Sequence, residues 1–283
     1  MTRALEAWIT ELEQGPLDGT DRLRERLEAI DRLESLLYGQ NPSAELRERA
    51  LAIAAKLESA NAKLYQAIRD EIQLGLRPRR LLECLSARGD TSAIDWLNGE
   101  SYDYLDALIS GVLRFVEPSG VIAELEPEMV FYQPTPARHI FDLIARTALS
   151  DDDVLVDLGS GLGHVPLLTS ICTSARCIGI EREKAYVDCA RQSARDLNIS
   201  RVSFVCADVR STDFSKGTLF YLYTPFTGAI LRDVLDSLRR EAAQREIRVC
   251  TYGPCTSIVA EESWLACERA PQADQIAVFH GRG

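Results

Sequence analysis

No stretch of this sequence approaches the roughly 18 consecutive apolar residues that a membrane-crossing helix needs, although 46% of its 283 residues are hydrophobic. Basic residues are in deficit, 32 against 43 acids for a net charge of −11. The shortfall is shared between residues 1–120 (net −6) and 121–283 (net −5), so no basic face or tail is available to hold polyphosphate, and nucleic acid is not an expected partner. Histidines number three, and no His, Cys, Asp or Glu spacing resembles a zinc site, so no metal is expected. Eight cysteines include no Cys-x-x-Cys pair and follow no signal-peptide pattern. They read as reduced, mostly buried thiols of a cytoplasmic protein. Internal repeats and low-complexity tracts are also missing.

What is present divides in two. Apolar Leu46, Ala50, Ile53, Leu57, Leu64 and Ile68 recur at three- and four-residue steps between Ala44 and Leu74, with Arg47, Glu48, Lys56, Glu58 and Asp70 on the other faces. That spacing predicts one long amphipathic helix, capped by Ser43 and ended by Gly75. Shorter helices are expected at 2–14, 18–38, 78–87 and 101–114, broken by Gly15-Pro16, Gly39 to Pro42, Gly75 and the Gly89 to Asn98 stretch. After Pro118-Ser119-Gly120, β-branched runs alternate with helical segments, the mark of a parallel sheet with crossover helices. Strands are expected at 153–158, 176–181, 202–206, 218–223 and 246–251, with helices near 164–173, 183–197 and 228–243. Two further strand-like segments, 263–269 and 275–280, are joined too tightly for a helix and predict a terminal antiparallel hairpin. The expected domains are therefore a helical one at 1–117 and an α/β one at 118–283.

The chemistry concentrates where the first strand ends. Val154 to Leu158 runs into Gly159, Gly161 and Gly163 just before a helix, and glycines there let backbone approach a ligand closely. A glycine turn alone serves many nucleotide folds or mere packing. Two more acids add to it: Glu181 ends the second strand, where a carboxylate can accept from both hydroxyls of a ribose, and Asp208 follows the third, where it or the Val209 N–H can read an adenine edge. Asp157, immediately before the turn, separates two cofactor classes. It would repel a pyrophosphate but serve as counter-charge to the ammonium of an amino acid.

The stretch Asp157-Leu158-Gly159-Ser160-Gly161-Leu162-Gly163 resembles the Asp-x-Gly-x-Gly-x-Gly motif of class I S-adenosylmethionine-dependent methyltransferases, over roughly residues 130–281. The resemblance implies a Rossmann-like seven-stranded sheet with a terminal antiparallel hairpin and S-adenosylmethionine as cofactor. It assigns the methionine part to Asp157 and the Gly159, Ser160, Gly161 and Gly163 backbone, the ribose to Glu181, and the adenine to Asp208 and Val209.

Phe131-Tyr132-Gln133-Pro134-Thr135-Pro136, about 17 residues before the first strand, leads into an amphipathic helix with Ile140, Leu143 and Ile144. It looks like the Tyr-x-Pro-Thr/Ala element of the non-SET histone-lysine methyltransferases and related mitochondrial lysine methyltransferases. By that resemblance Tyr132 and Thr135 close over the cofactor. Leu162-Gly163-His164 departs from the acidic or basic residue common at that turn. At the end of the fourth strand lies Tyr221-Leu222-Tyr223-Thr224-Pro225-Phe226, whose Thr224-Pro225-Phe226 keeps the proline and aromatic of the amino-methyltransferase Asn/Asp-Pro-Pro-Tyr/Phe element but lacks its amide. Tyr223 and Thr224 are the candidate catalytic residues, and Tyr223, Pro225 and Phe226 the candidate acceptor-binding ones; the aromatics equally suit an apolar wall. Of the histidines, His139 and His280 sit beside apolar neighbours, while His164 opens the helix after the glycines.

The expected activity is methyl transfer to a nitrogen or oxygen acceptor, a protein lysine or a small molecule. A non-catalytic scaffold keeping the fold, and an NAD-dependent oxidoreductase, are the alternatives; Asp157 and the terminal hairpin argue against the latter. The helical domain is expected to act as a lid, a substrate-selecting element or a homodimer contact. No membrane partner is expected.

Overall fold

The computed structural model describes residues 2–15, 19–39, 42–86, 103–116, 118 and 127–281. Pro16, Gln40, Asn41, the 89–98 stretch, the first two residues of the helix expected at 101–114, and Ser119 and Gly120 of the expected linker lie outside them. The chain divides into two compact units, Met1–Glu71 with Pro78–Val112, and Ile72–Arg77 with Leu113–Gly283.

Helices α1 (Thr2–Gln14), α2 (Leu23–Gly39), α3 (Ala44–Gln73), α4 (Arg79–Ser86) and α5 (Tyr104–Leu113) occupy the first part. Every apolar position of the 3.6-residue pattern in α3 is buried, and Arg47, Glu48, Lys56, Glu58 and Asp70 are exposed. Ser43 Oγ accepts the Leu46 N–H at its start, and Gly75, at φ 69°, donates its N–H to Ile72 O past its end. The first half of the α3 stripe, Leu46, Ala50, Ile53 and Leu57, packs with Ile9, Ala29, Ile30 and Leu33 into one apolar core. Beside it Arg26 is fully buried, donating from Nε to Asn61 Oδ1 and from Nη1 to Gly19 O, each at 2.6 Å, which meets the requirement that a buried charge keep its hydrogen bonds.

The second unit is an α/β sheet. Strands β1 (Val154–Leu158), β2 (Arg176–Glu181), β3 (Val202–Cys206), β4 (Leu219–Leu222), β5 (Arg248–Thr251), β6 (Leu265–Cys267) and β7 (Ala277–Gly281) stand in the order 3-2-1-4-5-7-6. The first five are mutually parallel, while β7 runs antiparallel between β5 and β6. The hairpin read from the short 270–274 link is thus present, with β7 inserted beside β5. Helices α6 (Ala137–Thr147), α7 (His164–Cys172), α8 (Lys184–Asp196), α9 (Gly228–Ala242) and α10 (Cys255–Ala260) accompany the sheet. α10 has no counterpart in the sequence reading, because six residues cannot display a helical period. β1 and β4 are buried along their whole length, as central parallel strands covered on both faces must be. Neighbouring β1 and β4 lead to helices on opposite sides of the sheet order, and that reversal opens a crevice beyond their C-terminal ends.

Among the cysteines, Cys84, Cys177, Cys250 and Cys255 are buried, Cys172, Cys189 and Cys267 half-buried, and Cys206 exposed; all are free thiols. Burial pushes Cys172, Cys177 and Cys250 up to about 12, which removes them as nucleophiles. No helix among the described residues is long and apolar enough to cross a membrane, and no group of three or more His, Cys, Asp or Glu there is placed to hold a metal ion.

Candidate functional site

A cavity of about 630 Å³ fills that crevice. It is lined by Tyr132, Thr135, Asp157, Gly159, Ser160, Glu181, Asp208, Val209, Tyr223, Thr224, Pro225 and Phe226. Gly161 and Gly163 belong to the same turn but do not line the cavity.

The turn after β1 is shaped by its hydrogen bonds. Gly159 and Ser160 both donate N–H to Ile180 O at the end of β2, at 2.9 and 3.0 Å, and Gly161 donates to Glu181 Oε2 at 2.9 Å. The other Glu181 oxygen accepts from Glu183 N at 2.8 Å. Glu181 therefore organises the glycine turn, and a carboxylate with about four lone-pair sites keeps acceptor capacity toward the cavity. Gly159 at φ 88° and Gly161 at φ 50° occupy the left-handed region. A Cβ on Gly159 would collide with Pro225, and one on Gly161 would fall on the Tyr132 ring.

The three acids differ in charge environment. Asp157 is 4% exposed; burial, and secondarily the Glu181 charge, raise its pKa well above the usual carboxylate range. Among the described residues nothing cationic or hydrogen-bonding engages its carboxylate. Asp208 caps a 3-10 turn at Val209–Ser211, accepting from Arg210 N at 2.8 Å, and its pairing with the Arg210 guanidinium lowers its pKa. Arg210 also lines the cavity.

The segment before α6 lies across the strand ends. The Tyr132 ring rests on Gly161, tilts against Tyr186 with centroids 4.9 Å apart, and brings its hydroxyl within 3.3 Å of His164 Nδ1. His164 packs against Phe115, centroids 4.5 Å apart, and burial lowers its pKa to about 4. The unfolded chain takes up that proton near pH 6.5, so the linked stability is present above the unfolded pKa and lost as pH falls from there toward 4. In an NMR titration the His164 ring signals are expected to stay flat from pH 8 to 5.5; a midpoint near 6.5 would contradict the packing. Upstream, Val130 N donates to Pro225 O, Thr227 N donates to Glu128 O, and Met129 bridges Phe226, so this segment and the loop after β4 are sewn together.

On the β4 side, Tyr223 stacks on Tyr252 (4.7 Å), which stacks on His139 (4.2 Å). His139 is buried against an aromatic ring, the structural setting its apolar neighbours suggested. Thr224 stands at φ 41°, a strained position for a β-branched residue. Its hydroxyl donates to Tyr252 O at 3.3 Å and accepts from Cys255 N at 3.1 Å. Sequence reasoning did not single out Tyr186, Arg182, Arg210 or Tyr221, all of which line the cavity. Tyr221 is fully buried, with its hydroxyl 3.0 Å from Thr135 Oγ1. It opens the segment read at the end of the fourth strand, but only the strand order brings it beside Asp157 and Thr135.

Residues 129–221 match the family described as Histone methylation protein DOT1. The curated protein MJ0284 of Methanocaldococcus jannaschii, itself uncharacterised, is 34% identical over 62 residues, covering 22% of this chain and 28% of that protein's length. Similar solved structures include an RNA methyltransferase from Salinibacter ruber in complex with S-adenosyl-L-homocysteine (23% identity, 53% of this chain, 92% of that one, TM-score 0.44) and a putative methyltransferase from Escherichia coli (18%, 55%, 90%, TM-score 0.42). The family match begins at the segment sewn across the cavity and ends on β4, so it covers about a third of the chain and takes in the glycine turn, Glu181 and Asp208.

Proposed function

We propose that this chain methylates an amine of a protein, a lysine side chain, using the cavity described above. The observation that carries the reading is the continuity of one cavity from the unpartnered Asp157 carboxylate to the aromatic wall after β4. Bound S-adenosylmethionine supplies an electrophilic methyl group on its sulfonium. Asp157 sits ready as counter-charge to the amino group of the methionine part. Glu181 accepts from the ribose hydroxyls while holding Gly161 in place. Asp208, steadied by Arg210, presents the Val209 N–H to the adenine.

In-line transfer needs an oriented lone pair and a dry site more than a strong base. Tyr223, Pro225 and Phe226 wall the acceptor side, and an ammonium desolvated against such a wall gives up its proton more readily than in water. Tyr223 orients the amine through its hydroxyl. Thr224, with its hydroxyl engaged by Tyr252 and Cys255, acts by positioning the end of β4. The description of the matched family names histone methylation, and a net charge of −11 suits a basic protein segment better than a polyanion.

A cell lysate incubated with the protein and isotopically labelled methyl donor tests the reading by mass spectrometry. Label on lysine in the protein fraction is expected. Label confined to the low-mass fraction would replace the protein acceptor with a small molecule, and no label in either would point to a scaffold that keeps the fold.

A further inference from the structure

Tyr221 is a buried polar side chain for which the reaction above gives no role. In the β1–β4 register its Cα is the partner of Asp157, so the two side chains emerge on the same face of the sheet. Its hydroxyl lies 3.0 Å from Thr135 Oγ1, and both residues line the cavity. Among the described residues each of these hydroxyls is the other's only hydrogen-bond partner. Two hydroxyls joined by one bond leave one hydrogen over, and the direction of the bond decides which oxygen carries it. A phenol is the stronger donor and an aliphatic alcohol the better acceptor. Tyr221 therefore donates, and the hydrogen left over is that of Thr135. Full burial above all, with a smaller contribution from the neighbouring Asp157 charge, holds Tyr221 in its protonated, donating form.

We propose that Tyr221 is a positioning residue that donates to Thr135 and thereby turns the Thr135 hydroxyl toward the carboxylate of the cofactor's methionine part. The inference rests on the cofactor placement proposed above: with Asp157 facing the ammonium, the carboxylate on the same carbon falls beside Thr135, which Tyr221 ties to the Asp157 side of the cavity. Pro136 confines the residue before it, Thr135, to extended backbone, and its branched, buried side chain is stiff at χ1, so the hydroxyl rotor is the freedom left for Tyr221 to set.

Calorimetry with two ligands tests it: S-adenosylhomocysteine, which carries the carboxylate, and 5′-methylthioadenosine, which shares the nucleoside but lacks the amino-acid part. Tyr221→Phe is expected to weaken S-adenosylhomocysteine binding about 5- to 10-fold, the size of one neutral hydrogen bond, and to leave 5′-methylthioadenosine within twofold of wild type. Thr135→Val is expected to do the same, and the double variant to lose no more than Thr135→Val alone, because Tyr221 acts through Thr135. Equal losses for both ligands, or additive losses in the double variant, overturn the proposal. Thr135→Val carries the ligand comparison by itself should Tyr221→Phe fold poorly. If wild type binds neither ligand, the cofactor placement fails first and takes this role with it.

Discussion

Asp157→Asn is expected to raise the melting temperature of the unliganded protein near pH 8 while weakening S-adenosylhomocysteine binding. The two effects share one cause. Burial, and secondarily the Glu181 charge, act on a carboxylate with no compensating cation among the described residues, so its folded-state pKa lies well above the unfolded value near 3.9. A group raised in this way contributes stability that is present below its unfolded pKa and lost as pH rises through its folded pKa. At pH 8 the ionised form is therefore a burden that asparagine removes. Each kcal/mol of relief corresponds to a rise of about 2–4 °C for a domain of this size. The ligand's ammonium reverses the balance, since it favours the ionised carboxylate, and losing that charged hydrogen bond costs about 1.5–3 kcal/mol, or about 10- to 150-fold in affinity. Binding should also release a proton, making affinity rise with pH until the free-protein pKa is passed. Calorimetry in buffers of different ionisation enthalpy reads this directly, and Asp157→Asn should abolish the release. An unchanged melting temperature together with unchanged affinity would remove Asp157 from the site.

Gly161→Ala is expected to cost both stability and cofactor affinity, about 2–4 kcal/mol of stability by analogy with an overpacked core at a left-handed position. Its φ of 50° disfavours any side chain, and the new methyl would occupy the space of the Tyr132 ring. That ring has little room to retreat, being tilted against Tyr186 and linked to His164. The second variant needed is Gly161→Ala combined with Tyr132→Ala. Removing the ring should restore part of the stability lost by Gly161→Ala without restoring cofactor binding. If the double variant is less stable than Gly161→Ala by the full cost of Tyr132→Ala alone, the collision is not the cause. Differential scanning calorimetry and titration with S-adenosylhomocysteine distinguish these results.

Much of the architecture is legible in the residues alone. The α3 stripe and its Ser43 cap, the alternation of strands and helices after residue 120, and the tight link that forces β6 and β7 antiparallel are local patterns, each carried by burial or turn geometry within a few residues. The glycine turn and the acids at Asp157, Glu181 and Asp208 were equally visible, because each follows a recognisable strand. Less was visible of what those acids do at rest. The bond from Gly161 to Glu181, the Arg210 pairing of Asp208 and the Thr224 hydroxyl's bonds to Tyr252 and Cys255 depend on loop conformations that residue types do not dictate.

By itself the sequence determined which faces are buried, where the chain turns, and that a carboxylate precedes a turn able to take a ligand close to its backbone; these follow from periodicity, glycine freedom and charge. Tertiary structure alone decided that β4 lies against β1. That choice sets Tyr221 beside Asp157 and under Thr135, 86 residues away in the chain, and lays residues 128–130 against the loop after β4. Strand order is settled by how whole buried faces fit one another, and no short window of residues contains that information.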